Sequence, residues 1–411
     1  MITTAGVVVI GSGAFGASLA YHLAAMGQRD VALLDRFEIA SQTSPRAAGL
    51  TQQIRPTEGM TRLAMLAVEK ITRFAEETGE PMVYHQSGSV KIARTERDGR
   101  QIRAELAAGK ARGLEMRPIA ADDLAALTPF AKPVDVRAMW FTPSDLYLEP
   151  VQIPRGYASA AARLGVSVLP STPVTEILRD GDAVAGVATP QGRITAPLVV
   201  DAAGAWARAI AEEAGIRIPV VPMRHQLMIT EPIAGVAPEQ PICRVIDANV
   251  YVRPERGGLM LGGYEASPQP CDPRQFPTGF QIKDLPLDLG VLRGLAAGVR
   301  DVFPVFHGAA VREHRGGLPT ITADGKHIVG QVPGLRGFYT ASGCCVGGLS
   351  ISPAIGQCLA ELILTGTPAL QLDELAITRF GPEVADDDAL REAAIDLYAH
   401  QYSGGWAEAV G

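Results

Sequence analysis

Three glycines and one acid carry the clearest chemistry in this chain. Gly11, Gly13 and Gly16 stand at G-x-G-x-x-G spacing, and Asp35 follows them. Such a set binds a dinucleotide. The first glycine allows a tight turn, the second lets backbone approach a pyrophosphate, and the third lets a helix pack on a strand. Ser12, Ala14 and Phe15 complete the turn, and Arg36 follows the acid. An acid about 20 residues past the glycines accepts from the adenosine ribose hydroxyls and repels a 2′-phosphate. The set therefore points to FAD or NAD and not to NADP. Its elements can be read around it. Val7 to Ile10 form an apolar run suited to a buried parallel strand, and Val31 to Leu34 form the next strand. The helix between them opens its N-terminal N–H groups and positive dipole end toward the phosphates.

A chain of 411 residues can bury a large core and is expected to form two domains. Its net charge of −7 argues against nucleic acid as a partner. MITTAG has no basic region followed by an apolar one, so no secretory signal is expected. No apolar run reaches about 18 residues, so no membrane span is expected. Five cysteines, odd in number and with Cys344 and Cys345 adjacent, fit reduced thiols in a cytoplasmic protein. No CxxC, HExxH or histidine cluster suggests a metal.

Residues 61–78 read as an amphipathic helix stopped at Gly79, 88–94 as a strand, and 96–112 as a charged surface helix. A helix near 152–164 precedes a strand, and a β-meander follows over 173–200. Residues 216–310 alternate strands with Pro-rich turns. The strand GFYTAS, a Gly-rich turn and a last apolar helix come next, and the acidic, then helical tail 380–411 is expected on the surface. The dinucleotide signals thus fall in three separate segments. A nicotinamide-binding Rossmann domain is usually continuous, whereas a cofactor domain interrupted by a substrate domain is more typical of flavoproteins. That dispersal favours FAD.

Four motifs make the chain resemble the D-amino-acid-oxidase-like flavoprotein superfamily over nearly its whole length. They are GSGAFG with LLD, SPRAAGLTQQIR, LVVDAAGAWA and GFYTASGCCVGGLSISPAIG. PMRHQLMITEP and YVRPERGGLMLGGYE look most similar to the FAD half of dimethylglycine and sarcosine dehydrogenases, which oxidise the C–N bond of N-methylated amino acids. The implied fold is α/β: a Rossmann-like FAD-binding domain of this type with an inserted α+β substrate domain built on an antiparallel sheet. The implied boundaries are 1–80, 145–215 and 311–375 for the discontinuous FAD-binding domain, 81–144 and 216–310 for the substrate domain, and 376–411 for a C-terminal tail.

The resemblance also assigns roles. Ser44, Arg46, Ala47, Ala48, Gly49 and Leu50 would pass the isoalloxazine edge, and Val174 would meet the adenine through its backbone. Ala203, Gly204 and Trp206 would abut the pyrophosphate. Gly343, Val346, Gly347, Gly348, Leu349 and Ser350 would face the flavin pyrimidine, where a helix starting near 350–352 aims its positive end at the charge that accumulates on reduction. His225 and Tyr251 are the candidate catalytic residues. They would orient and deprotonate the amine, and histidine suits that task near neutral pH. Arg253 shares a strand face with Tyr251, so the two could clamp a carboxylate. Arg315, Tyr264 and Arg55 are further substrate-binding candidates.

The departures from the family shape the rest. Arg46 stands where relatives carry a histidine bonded to FAD, and the region 316–319 lacks the cysteine tether of monomeric sarcosine oxidases. FAD is therefore expected to be non-covalent. Glycine oxidases use arginines at the positions of Leu318 and Val346, which makes glycine a poor substrate. Met260 replaces a lysine that activates oxygen, favouring a dehydrogenase over an oxidase. The folate-binding half of larger relatives is not represented, so a methylene product would leave as formaldehyde unless a partner subunit takes it. The reading is an FAD-dependent oxidation of a secondary or tertiary amine, either an N-methyl or a cyclic amino acid. Hydride passes to flavin N5, and electrons go on to an electron-transfer flavoprotein, a quinone or oxygen. Two alternatives stand beside it: an oxygen-using oxidase that makes hydrogen peroxide, and a flavin-bearing subunit of a larger complex.

Overall fold

The computed structural model describes residues 2–402 and 406. Two sheets organise it. The first has six strands in the order Ile328–Gln331, Phe338–Ser342, Leu198–Asp201, Val7–Ile10, Val31–Leu34 and Ser167–Leu169. All its pairs are parallel except the one joining Ile328–Gln331 to Phe338–Ser342. The fully buried runs VVVI and VALL lie at its centre because both faces are covered. One face carries the helix Ala14–Ala25, which packs against Gln152–Arg163 and Gly348–Thr365. The other is covered by a three-stranded antiparallel meander over 176–195.

Gly348–Thr365 alone among the described helices is long and apolar enough to cross a membrane. The sequence reading found no such run. Residues such as Ile351, Ile355 and Leu359 are buried in the core shared with Ala14–Ala25, so burial in the protein accounts for its apolarity.

The second sheet has eight strands, in the order Val311–Gly317, His225–Thr230, Gly258–Gly263, Val250–Glu255, Ile242–Val245, Ser89–Ala93, Ala138–Thr142 and Arg117–Pro118. It is antiparallel apart from the pairing of Ile242–Val245 with Ser89–Ala93. Val311–Gly317 is its edge strand, so this sheet runs past the boundary expected at 310. Alternation divides its faces. Val90, Ile92, Cys243, Val245, Val250, Val252 and Leu261 pack with the helix Leu289–Ala297. Lys91, Arg244 and Tyr251 point the other way and stand in one register row with Trp140 and Gly262.

The C-terminal helix Asp387–Ala399 is N-capped by Asp386 and bound to the body by Asp387, which pairs with Arg208 and Arg217. It does not simply lie on the surface. Tyr398, Tyr402 and Trp406 are buried, and the last two enter the cavity described below. Residues 403–405 and 407–411 of the expected tail lie outside the described residues.

Candidate active site

A cavity of 650 Å³ lies between the two sheets. At one end it meets Gly13, Ala14, Phe15 and Gly204, at the carboxyl ends of the parallel strands, where open α/β sheets bind ligands. Ser44 and residues 46–50 form one wall, and Val346 to Ser350 form another. Two helix N-termini open onto it. Gly13 and Gly347 cap Ala14–Ala25 and Gly348–Thr365 without a side chain, and neither first turn holds an acid. Two uncompensated positive dipole ends suit an anionic ligand such as a pyrophosphate and an electron-rich ring. The helix Gly348–Thr365 starts two residues before the expected range. Ahead of it, Cys345 and Val346 adopt positive φ of 43° and 60°, conformations that non-glycine residues rarely take.

The other residues expected at the nucleotide do not line the cavity. A side chain at Gly16 would overlap the Gly11 carbonyl oxygen, so helix and strand touch there. Asp35 accepts from the Ser12 N–H at 2.8 Å, its hydroxyl at 2.6 Å and the Phe37 N–H at 2.9 Å. The acid thus fixes the glycine turn. The Arg36 guanidinium lies over Phe37 and Trp206, at 5.0 and 5.2 Å from their ring centres. Ala203 donates its N–H to Asp201, and Gly343 accepts from His327 at 2.8 Å through its carbonyl. Val174 lies between Thr172 and Thr175, whose N–H groups bond the carbonyls of Asp35 and Ala188. The cavity, the two helix ends and the acid fit FAD. Arg46 lines the wall of small residues, and a guanidinium is no tether, so FAD is held non-covalently.

The far end is aromatic and cationic. His225, Tyr251, Tyr264, Tyr402 and Trp406 line it. The Tyr264 ring stands 5.3 Å from His225 and 5.2 Å from Tyr402. His225 Nε2 meets the Tyr251 hydroxyl at 3.0 Å, and its Nδ1 meets the Tyr398 hydroxyl at 2.7 Å. A side chain at Gly262 would overlap the Tyr251 phenol, so the glycine makes room for that ring. Burial lowers the His225 pKa to about 4, which leaves the imidazole neutral across the neutral range. It titrates too low for the proton exchange near neutral pH that the sequence suggested, and it contacts the cavity beside the hydroxyl it holds.

Arg55 and Arg244 share this end with Lys91. Lys91 is neutralised by Glu105 at 2.5 Å, and Glu105 also accepts from Trp140 Nε1 at 2.9 Å and Gln101 at 2.7 Å. Neither arginine has a carboxylate within 4.0 Å among the described residues. Arg244 donates to the Thr51 carbonyl at 2.7 Å, and its Nη1 has no partner; Arg55 Nε has none either. Burial first, and then Arg244, lowers the Arg55 pKa, while Tyr264 and the buried Asp145 carboxylate act against that shift, so the two cations repel and are offset only at a distance. The backbone carrying Arg55 is pinned by Arg112, which donates to the carbonyls of Arg55 and Pro56 at 2.6 and 3.1 Å.

Arg253 and Arg315 do not line the cavity. Arg253 lies two register rows from Tyr251, opposite Met260. Its guanidinium donates to the Ala48 carbonyl at 2.8 Å, pairs with Glu255 at 2.6 Å and covers the Tyr147 ring. It therefore supports the segment at residues 46–50 and forms no clamp with Tyr251. Arg315 faces Glu149 and Glu313 at 3.7 and 3.6 Å. Met260 is fully buried with Leu227 and Ile229, against Ala48. Arg244, Lys91, Tyr398, Tyr402 and Trp406 escaped the sequence reading. A single charge inside each apolar strand, ICRV and SVKIA, was the available signal for the first two.

Comparison with known proteins agrees with this geometry. A family described as DAO: FAD dependent oxidoreductase matches residues 6–362. Human sarcosine dehydrogenase is 32% identical over 408 residues, 98% of this chain and 44% of that protein. Rat dimethylglycine dehydrogenase is 30% identical over 382 residues, 91% of this chain and 44% of the relative. The chain thus spans less than half the length of these relatives. Among solved structures, L-proline dehydrogenase from P. horikoshii superposes with a TM-score of 0.83 at 24% identity, covering 92% of this chain and 98% of that one. On the motif, the fold and this match over most of its length, the chain belongs to the DAO family of FAD-dependent oxidoreductases.

Proposed function

We propose that this enzyme oxidises the C–N bond of an N-alkyl or cyclic amino acid. The carrying observation is the pairing, at one end of the cavity, of two arginines without carboxylate partners among the described residues and a wall of aromatic rings. Arg55 and Arg244 hold the substrate carboxylate through charge-assisted hydrogen bonds. Tyr251, Tyr264, Tyr402 and Trp406 surround the N-alkyl group, where apolar and cation–π contacts both favour a methylated amine. Bound FAD supplies the acceptor for the hydride equivalent leaving the carbon next to nitrogen. Tyr251, held by neutral His225, orients the amine. The names of the relatives, sarcosine and dimethylglycine dehydrogenases, support the same substrate class.

Burial of Met260 under Ala48 leaves no lysine at the position expected for oxygen activation, which favours an acceptor other than oxygen. The test is anaerobic bleaching of the bound flavin by a panel of N-methyl and cyclic amino acids, with the matching amines lacking a carboxylate alongside. Bleaching by the amino acids, at least about tenfold better than by the bare amines, is expected. Equal bleaching by both would remove Arg55 and Arg244 from recognition, and bleaching by neither would overturn the reading.

A further inference from the structure

Tyr398 stands outside the cavity, on the C-terminal helix, yet it is bonded to the residue that holds Tyr251. We propose that Tyr398 is a positioning residue that turns Tyr251 into a hydrogen-bond acceptor for the substrate amine. The proposal rests on the amine-oxidising reading above.

Arg224, Tyr398, His225 and Tyr251 form one hydrogen-bonded chain whose protons can be counted. Tyr398 is within 3.3 Å of the Arg224 carbonyl, which can only accept. Nδ1 of His225 can supply its own hydrogen and the carbonyl cannot, so both Tyr398 contacts are hydrogen bonds together only when the single Tyr398 proton goes to Arg224. At Nδ1 of His225, 2.7 Å away, Tyr398 must then accept, so Nδ1 carries the hydrogen. The neutral imidazole has one N–H, which makes Nε2 the bare nitrogen. Nε2 accepts the Tyr251 hydroxyl proton across 3.0 Å, which leaves the oxygen of this cavity-lining residue free to accept from a ligand N–H. No charged group among the described residues takes part in these contacts.

The polarity matters for the reaction. The nitrogen lone pair of the amine must enter the new C=N bond as hydride leaves. A donor at Tyr251 would engage that lone pair and oppose the step. An acceptor takes the N–H instead and leaves the lone pair free. The opposite tautomer, with hydrogen on Nε2, would turn the Tyr251 proton into the cavity. Tyr398 selects between the two without touching substrate.

The polarity can be read in the flavin-loaded protein with two planar ring carboxylates, pyrrole-2-carboxylate, which has an N–H donor, and thiophene-2-carboxylate, which has none. Perturbation of the flavin spectrum reports their binding. In the unmodified protein the pyrrole is expected to bind about tenfold more tightly, as one hydrogen bond to a fixed acceptor allows. In Tyr398→Phe, which keeps the ring edge-on to Tyr264 at 5.2 Å, that preference should shrink to about twofold or less. A weakening shared by both ligands is packing and does not enter the ratio. An undiminished preference in Tyr398→Phe overturns the assignment of Tyr398 alone. Failure of both carboxylates to bind the unmodified protein overturns the amino-acid reading and the proposal with it. The ring ¹⁵N shifts of His225, assigned by their loss in His225→Gln, give a measurement that needs no folded Tyr398 variant. Hydrogen on Nδ1 is expected, and hydrogen on Nε2 would refute the proposal.

Discussion

In the six-stranded sheet the residues that reach the cavity are mostly small, with little more than backbone to offer, and gather near the ends of neighbouring strands. In the eight-stranded sheet the groups that reach it are side chains. Lys91, Arg244 and Tyr251 come from three strands and converge only because register puts them in one row, with Gly262 leaving space at its end. The first design depends on close approach and helix dipoles, and it tolerates little change in backbone. The second depends on which residue sits in which row. Arg253, two residues beyond Tyr251 on the same strand face, reaches the Ala48 carbonyl instead of the cavity. Cofactor binding and substrate choice can therefore vary separately in this molecule.

Two glycines break the comparison most sharply. Gly16→Val should disrupt the contact of the first helix with Gly11 and yield protein without flavin, or no folded protein. Gly262→Val should displace the Tyr251 ring yet keep the flavin, lowering its rate of reduction by substrate about 10²-fold or more. Flavin content and anaerobic stopped-flow reduction measure the two effects. Loss of flavin from the Gly262 variant would show that the sheets are not separable.

A smaller effect is expected from the arginines. Arg55→Met and Arg244→Met should each weaken binding of an amino-acid substrate by about 10- to 100-fold, the range of a charge-assisted hydrogen bond, with flavin retained. Titration of flavin bleaching reads this directly. The same change at Arg253 should act on stability first, because its partners are Ala48, Glu255 and Tyr147.

The smallest effect belongs to the parallel sheet. Asp201 ends the strand Leu198–Asp201, fully buried, with Oδ2 unpartnered, and burial raises its pKa from 3.8 to about 7. Between those values the folded protein binds a proton that the unfolded chain does not, so this group favours folding at low pH and loses that contribution as pH rises through 7. Asp201→Asn should gain thermal stability relative to the unmodified protein from pH 5 to pH 8, read as the difference in Tm. A difference independent of pH would show that Asp201 is ionised throughout. His225 and His327, both lowered to about 4, act in the opposite sense and lose stability as pH falls from 6.5 toward 4.

The contrast between the sheets also explains what could be read in the chain. The glycine spacing, Asp35 and the apolar runs are local, so the nucleotide end and its dispersal over three segments were legible. His225, Tyr251, Tyr264 and Arg55 were legible by family resemblance, and the structure brings all four to one end of the cavity. Arg253 was misplaced because alternation gives the face of a strand but not the row it meets across the sheet. Arg244 and Lys91 were hidden for the same reason. The role of the C-terminal helix depends on contacts such as Tyr398 with His225, which are 173 residues apart, and no local pattern encodes them.

The strand order has a consequence for biosynthesis. Val7–Ile10 is made first but sits in the middle of its sheet, flanked by Val31–Leu34 and by Leu198–Asp201. One edge of this apolar strand stays open until residue 201 has been translated, and a growing chain with such an edge is exposed to misassociation. The wall bearing Tyr402 and Trp406 arrives some two hundred residues later again. The two ends of the cavity are thus made in interleaved order: Arg244, Tyr251 and Tyr264 precede Val346 to Ser350, and the cavity can close only once Tyr402 and Trp406 are made.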